Sequence, residues 1–285
     1  MLKTKKFVLT GLIALIVVMM VVACAAPAAT LAPADASAGI SGTISVAGST
    51  TVQPLAEKFA EAFTAANPEV RITVQGGGSS VGVKAAAEKT ADIGMASREI
   101  KESEMSDTPT LKVFVVARDG IAIVANPAET VSNLTVEQVR QIFSGQITNW
   151  KEVGGADLPI VVVSREEGSG TRGAFEELVM GKDALIVDMA ILQQSNGAIR
   201  TTVSTTPAAI GYISFGYLDN TVKSLSVEGV EPTEPNAADG SYLIVRPLNM
   251  LTNGEPEGLV KAWLEWMLSP EGQTIVRADG YIPVK

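Results

Sequence analysis

The chain has 285 residues, with 22 lysines and arginines against 31 aspartates and glutamates, no histidine and a single cysteine. An acidic surface of this kind is unsuited to nucleic acid or anionic membranes, and one cysteine excludes an internal disulfide. The lack of histidine removes Ser-His nucleophiles, histidine acid–base chemistry and nearly every zinc site, so binding without turnover is favoured and no metal or cofactor is expected.

Residues 1–23 carry Lys3, Lys5 and Lys6 and then an almost wholly apolar run that ends at Val21-Val22-Ala23, directly before Cys24. That order predicts a lipoprotein export signal, with Cys24 as the lipid attachment point and the rest of the chain outside the cytoplasm. The apolar run is short for a membrane span, which makes an uncleaved anchor the lesser alternative. Removing residues 1–23 takes three lysines and no carboxylate, leaving a body more acidic still. Residues 24–39 are alanine-rich with Pro27 and Pro33 and read as a flexible tether. What remains is long enough for one large domain or two lobes, each with its own core.

A β-like run over 43–47 leads into Gly48-Ser49-Thr50-Thr51. Val52, Leu55, Phe59 and Phe63 then recur at helical spacing and predict a helix over 53–66, with Thr50 and Gln53 as a capping box and Asn67-Pro68 as its end. A strand is expected over 70–74, followed by Gly76-Gly77-Gly78-Ser79-Ser80, in which Ser79 or Ser80 would cap a helix over 81–89. Next come a strand over 92–96 and two strand-like runs, 113–116 and 121–125, around Asp119-Gly120. Thr135 with Gln138 opens a capped helix over 136–143 that Gly145 closes. A strand over 160–164, a helix over 171–180, β-like runs over 210–215 and 243–245 and a helix over 259–267 complete the series. Alternating strands and helices predict an α/β fold with mainly parallel sheets. Trp150, Trp263 and Trp266 are expected as core or interface aromatics.

The segment VSREEGSGTRGA, residues 163–174, stops a β-branched run at Arg165 and restarts as a helix through Gly168-Ser169-Gly170-Thr171. Glycines let backbone N–H groups approach a ligand, hydroxyls add donors, and a helix N-terminus favours an anion. Arg165 supplies a planar fork suited to a tetrahedral oxyanion, and Glu167 is close enough in sequence to hold it. Taken alone the segment is equally a plain strand-to-helix turn. Three such strand–hydroxyl–helix junctions recur, however, all where open α/β sheets hold their ligands. Neither nucleotide fingerprint fits, since Val83 stands where a P-loop needs lysine and Val81 spoils a G-x-G-x-x-G.

Through AGSTTVQPLAEKF, QGGGSSVGVKAA, ADIGMASREI, LTVEQVRQIFSGQITNWKEVGG, SREEGSGTR, AAIGYISFGYLD, RPLNMLTN and LSPEGQTIV, in that order, the chain resembles the phosphate-binding lipoproteins of ABC-type phosphate importers, members of the periplasmic-binding-protein superfamily. The resemblance implies a two-lobed α/β fold of type II, with the ligand between the lobes and no covalent chemistry. Residues 40–118 with 247–285 would form lobe 1 and residues 119–246 lobe 2. It implies phosphate contacts at Thr50, Thr51, Ser79, Arg165, Ser169, Gly170 and Thr171, supported by Glu167, Ser49 and Ser80. Ser97, followed by Arg98, stands where one branch of the family carries a ligand aspartate, so rejection of sulfate is weakened. Arg98 is either a ligand contact or half of a surface salt bridge with Glu99 or Glu102, and Asn196-Gly197 either a turn or a cleft contact. The implied partners are inorganic phosphate and the membrane subunits of an ABC permease, for a monomer tethered to the membrane by its lipid. The alternatives are a receptor for sulfate or molybdate, or a lipid-anchored surface sensor or adhesion protein.

Overall fold

The structure is a computed structural model and describes residues 40–181 and 184–284. The export signal, Cys24 and the tether lie outside the described residues.

The chain opens with strand β1 (Gly42–Gly48), helix α1 (Gln53–Ala66), strand β2 (Val70–Gly76), helix α2 (Ser79–Ala87) and strand β3 (Ile93–Ala96). Here β1 pairs in parallel with both β2 and β3. α1 buries Leu55, Ala56, Phe59, Ala60 and Phe63, the stripe its helical spacing predicts. Its capping differs from expectation. The residue before the helix is Val52, with Pro54 in the first turn, while Gln53 binds Glu57 instead of closing a box with Thr50. Likewise Ser79 and Ser80 lie inside α2, and Gly78 at φ 94° precedes it, a conformation that glycine adopts freely.

A short helix α3 (Glu102–Asp107) leads to β4 (Leu111–Ala125), one continuous strand where the sequence reads as two runs around a turn. Asp119-Gly120 is mid-strand, and Asp119 is fully buried because Arg246 on a neighbouring strand neutralises it. There follow β5 (Asn133–Leu134), α4 (Val136–Phe143), β6 (Val161–Arg165) and α5 (Gly170–Phe175), which continues as a wider π-helical turn over Glu176–Met180. The Thr135–Gln138 capping box at α4 forms as the sequence predicts.

Beyond these lie β7 (Ile191–Gln193), α6 (Asn196–Thr205), β8 (Ala209–Ser214), β9 (Lys223–Val227), α7 (Glu234–Ala238), β10 (Val245–Asn253), α8 (Gly258–Met267) and α9 (Pro270–Ala278). The strand order is β2-β1-β3-β10-β4-β8-β6-β7. The outer pairs β1–β2, β1–β3, β6–β8 and β6–β7 are parallel, but β10 runs antiparallel to β3 and β4, and β4 antiparallel to β8. The sheet is therefore mixed, with its antiparallel pairs at the centre.

That centre separates two large cores, and a smaller third cluster gathers Val83, Ala86, Ala96, Leu111 and Leu251. One large core gathers Ile44, Leu55, Phe59, Phe63, Ile93, Trp263 and Met267, with Val116 and Ala117 of β4 and Leu248 and Met250 of β10. The other gathers Phe143, Trp150, Val163, Phe175, Ile199 and Tyr212, with Ile121–Ala125 of β4. Trp266 packs edge-on against Phe59 and Phe63. The two long strands pass from one core to the other at Asp119 and Arg246, so side chains at those positions sit where loops from both sides converge.

Candidate functional site

The loop after β1 is built for close approach. At Gly48 (φ 136°) a Cβ would stand 2.4 Å from the Met95 carbonyl oxygen and 2.6 Å from the Gly82 Cα, so only glycine lets this loop lie against α2 and β3. Ser49 Oγ then accepts the N–H groups of Thr51 (3.1 Å) and Val52 (3.3 Å) and donates to Ser97 Oγ at 2.9 Å. Ser97 N–H donates to Ser79 Oγ at 3.0 Å, which joins the first residue of α2 to the end of β3.

The loop after β6 meets these hydroxyls from the other side. Ser80 N–H donates to the Gly168 carbonyl at 3.1 Å. A Cβ on Gly170 would fall 2.0 Å from Ser79 Oγ and 2.6 Å from Ser97 Oγ, so the first turns of α2 and α5 are in direct apposition. Thr171 Oγ1 lies 3.1 Å from Thr51 Oγ1. Ser169 caps α5 by accepting from Arg172 N–H at 3.2 Å.

Arg165 is 1% exposed at the centre of this convergence. Tyr212 Oη accepts the Arg165 backbone N–H at 3.3 Å, and the ring stacks on Phe175 at 4.1 Å, which fixes the strand end. Burial pushes that phenol up to about 12, so it stays neutral at physiological pH. The guanidinium donates through Nε and Nη2 to Glu166 (2.9 and 3.0 Å), to the carbonyls of Gln193 and Gln194 (both 3.1 Å) and to Thr50 Oγ1 (3.2 Å). Nη1 is buried without a partner among the described residues. A buried N–H donor in that state is costly unless something accepts from it.

Two expectations are corrected. The carboxylate that holds Arg165 is Glu166, because the chain turns at Gly168 and leaves Glu167 exposed beside an outer cavity of about 370 Å³. Arg98 forms no surface pair, and it touches the cluster of hydroxyls at its edge, through a 3.4 Å hydrogen bond from Nη2 to Ser80 Oγ. Its side chain is 4% exposed and donates from both terminal nitrogens to Glu104, at 2.7 and 2.8 Å, with the Glu99 carbonyl as a further acceptor. Burial alone would raise the Glu104 carboxyl; hydrogen bonds from Arg98 and from Lys101 N–H outweigh it and hold the group below its ordinary range.

Asn196 is not a turn. It is fully buried at the start of α6, donating to Thr51 Oγ1 at 2.9 Å while its Oδ1 accepts from Ser214 N–H at 3.2 Å. Sequence reasoning missed Arg246 and Asp119 altogether. Asp119 Oδ2 accepts from Arg246 Nε and Nη2 at 3.0 and 2.8 Å, and Arg246 reaches on to the Ser97 carbonyl (3.0 Å) and Thr51 Oγ1 (3.3 Å). The signal was present as a charge flanking apolar runs: Asp119 between 113–116 and 121–125, and Arg246 directly after 243–245. Tyr217 and Tyr281 were also missed; their hydroxyls donate to the carbonyls of Thr50 (2.8 Å) and Thr51 (3.3 Å).

The site therefore presents hydroxyls, a glycine-lined pair of helix starts and one arginine with a free edge, which is chemistry for holding a small oxyanion. Residues 33–271 match the sequence model of the family described as the PBP superfamily domain. The phosphate-binding protein PstS of Bacillus subtilis is 37% identical over 86% of this chain and 81% of its own length. A Clostridium perfringens chain described as a phosphate ABC transporter substrate-binding protein, crystallised with bound phosphate, is 42% identical, superposes with a TM-score of 0.81, and is covered over 86% of this chain and 100% of that one. An ABC-type phosphate transport receptor from Vibrio cholerae is 39% identical with a TM-score of 0.72, over 84% of this chain and 99% of that one. The two cores are thus the two lobes of a periplasmic-binding-protein fold, and the chain belongs to the Pst-type phosphate-binding proteins of the PBP superfamily.

Proposed function

We propose that the chain binds inorganic phosphate between its lobes outside the membrane and delivers it to the permease of an ABC importer. The observation that carries the reading is Arg165: a buried, permanently charged fork with Nη1 unpartnered, surrounded by Thr50, Thr51, Ser79, Ser97, Ser169, Gly170 and Thr171. Lobe 1 comprises residues 40–118 with 247–285 and lobe 2 residues 119–246, which sets the change-over at Asp119 and Arg246. Closing the lobes brings the hydroxyls of one against the arginine of the other, and no covalent step is involved. The net negative charge of the body does not oppose this, because surface charges are screened over about 8 Å at physiological salt while the arginine and the N–H dipoles are in contact with the ligand.

Cleavage before Cys24 and lipid attachment there leave residues 24–39 as a tether for a monomer at the outer face of the membrane. A Cys24→Ser variant is expected in the soluble extracytoplasmic fraction or as an unprocessed precursor; normal processing with full membrane retention would contradict lipid attachment. Calorimetric titration of ligand-stripped protein with phosphate, arsenate, sulfate and molybdate tests the binding role. Saturable one-to-one binding of phosphate is expected, and binding of molybdate alone would replace the reading.

A further inference from the structure

Hydroxyl groups can donate or accept, and which they do decides whether an oxyanion site favours a protonated ligand. In this site the direction is set. Ser49 Oγ already accepts two backbone N–H groups, from Thr51 and Val52, so its proton goes to Ser97 Oγ at 2.9 Å. Arg246 Nη1 approaches the same oxygen at 3.4 Å while bonding the Ser97 carbonyl at 3.0 Å. With donors on both lone pairs, Ser97 has only its O–H left to offer, to a ligand or to Ser79 Oγ 3.4 Å away.

Thr51 is treated the same way. Its Oγ1 accepts from Arg246 Nη2 at 3.3 Å and from Asn196 Nδ2 at 2.9 Å. The amide of Asn196 cannot be reversed, since its Oδ1 accepts from Ser214 N–H. Thr51 therefore donates to Thr171 Oγ1, 3.1 Å away, and the Thr171 proton is released toward the site. Both hydroxyl chains start from one guanidinium, and Asp119 holds that guanidinium through two hydrogen bonds while Ser214 Oγ and Phe215 N–H hold Asp119.

We propose that Arg246 is a positioning residue for selectivity, which fixes Ser97 and Thr51 as donors and makes the hydroxyl side of the site favour oxyanions with no proton to place. The inference rests on the phosphate reading and names what sets its discrimination. Sulfate is the appropriate probe, because it accepts everywhere and donates nowhere. Removing the Arg246 charge weakens binding of both dianions, so the informative quantity is the ratio of their affinities.

The experiment uses Asp119→Asn/Arg246→Met, which leaves no lone buried charge and no donor at position 246, beside wild type and Arg246→Lys. Wild type is expected to bind sulfate measurably. In the double variant the freed hydroxyls can turn and accept from hydrogen phosphate, so the phosphate-to-sulfate ratio should rise by about tenfold. Arg246→Lys, which keeps a donor, should leave the ratio near wild type. An unchanged ratio in a folded double variant overturns the proposal, as does wild type that binds phosphate and excludes sulfate. Should the double variant not fold, Ser97→Ala decides: equal loss of both anions supports a donor, and loss of phosphate alone shows an acceptor. Wild type that binds no phosphate at all would instead refute the reading beneath it.

Discussion

Gly170 and Ser79 approach so closely that a single added methyl group cannot fit: a Cβ on Gly170 would stand 2.0 Å from Ser79 Oγ. The two residues begin α5 and α2, on the two proposed lobes, and the lobe closure proposed above brings them together. Gly170→Ala should therefore weaken phosphate binding by about 1–3 kcal/mol, since the closed state must absorb the overlap, while an open state relieves it. Thermal stability without ligand should change little. Isothermal titration with a thermal melt checks both; wild-type affinity in Gly170→Ala would mean that binding does not require this apposition.

The carboxylate beside Arg165 separates two neighbours in the sequence. Glu166 accepts from Nε and Nη2 and fixes which edge of the fork remains free. Glu166→Gln should lower phosphate affinity by about 1–3 kcal/mol by weakening a charge-assisted pair, whereas Glu167→Gln should stay within about 0.5 kcal/mol of wild type. A larger loss in Glu167→Gln, measured by the same titration, would reverse the assignment.

Arg98 and Glu104 give a pH-dependent signature outside the site. The Glu104 carboxyl lies below its ordinary range when folded, despite its burial, because Arg98 and Lys101 bond its charged form. A depressed folded value means that the stabilisation is present above the unfolded value, about 4.5 here, and is lost as pH falls through the folded one. Glu104→Gln should cost about 1–2 kcal/mol at pH 7, discounted for the partial exposure of the carboxylate, and progressively less below pH ~4.5. Denaturant unfolding at several pH values tests this, and a difference that grows on acidification would contradict it.

Local order was legible wherever side-chain spacing and capping agree. The spacing of Leu55, Phe59 and Phe63 gives α1 its stated limits, and Thr135 with Gln138 gives those of α4. The strand β4 was divided in error because a charge in an apolar run reads as solvent exposure; Asp119 is buried by a partner 127 residues away. The hydroxyl junctions were visible as composition, and the structure brings Thr50, Thr51, Ser79, Ser97, Arg165 and Thr171 together. Sequence nearness and the family resemblance put Glu167 beside Arg165 and leave Arg98 between a ligand contact and a surface pair; neither specifies side-chain direction after a turn. Arg246 needed the antiparallel pairing of β10 with β4, a long-range register that local pattern does not carry.

The account stands on the unpartnered edge of Arg165. Arg165→Ala removes a charge-assisted contact and leaves the surrounding donors around an uncompensated anion, so phosphate affinity measured by calorimetry on ligand-stripped protein should fall by about 2–5 kcal/mol, with the fold retained by circular dichroism. Phosphate bound by Arg165→Ala within about threefold of wild type, less than 1 kcal/mol, would contradict the central claim.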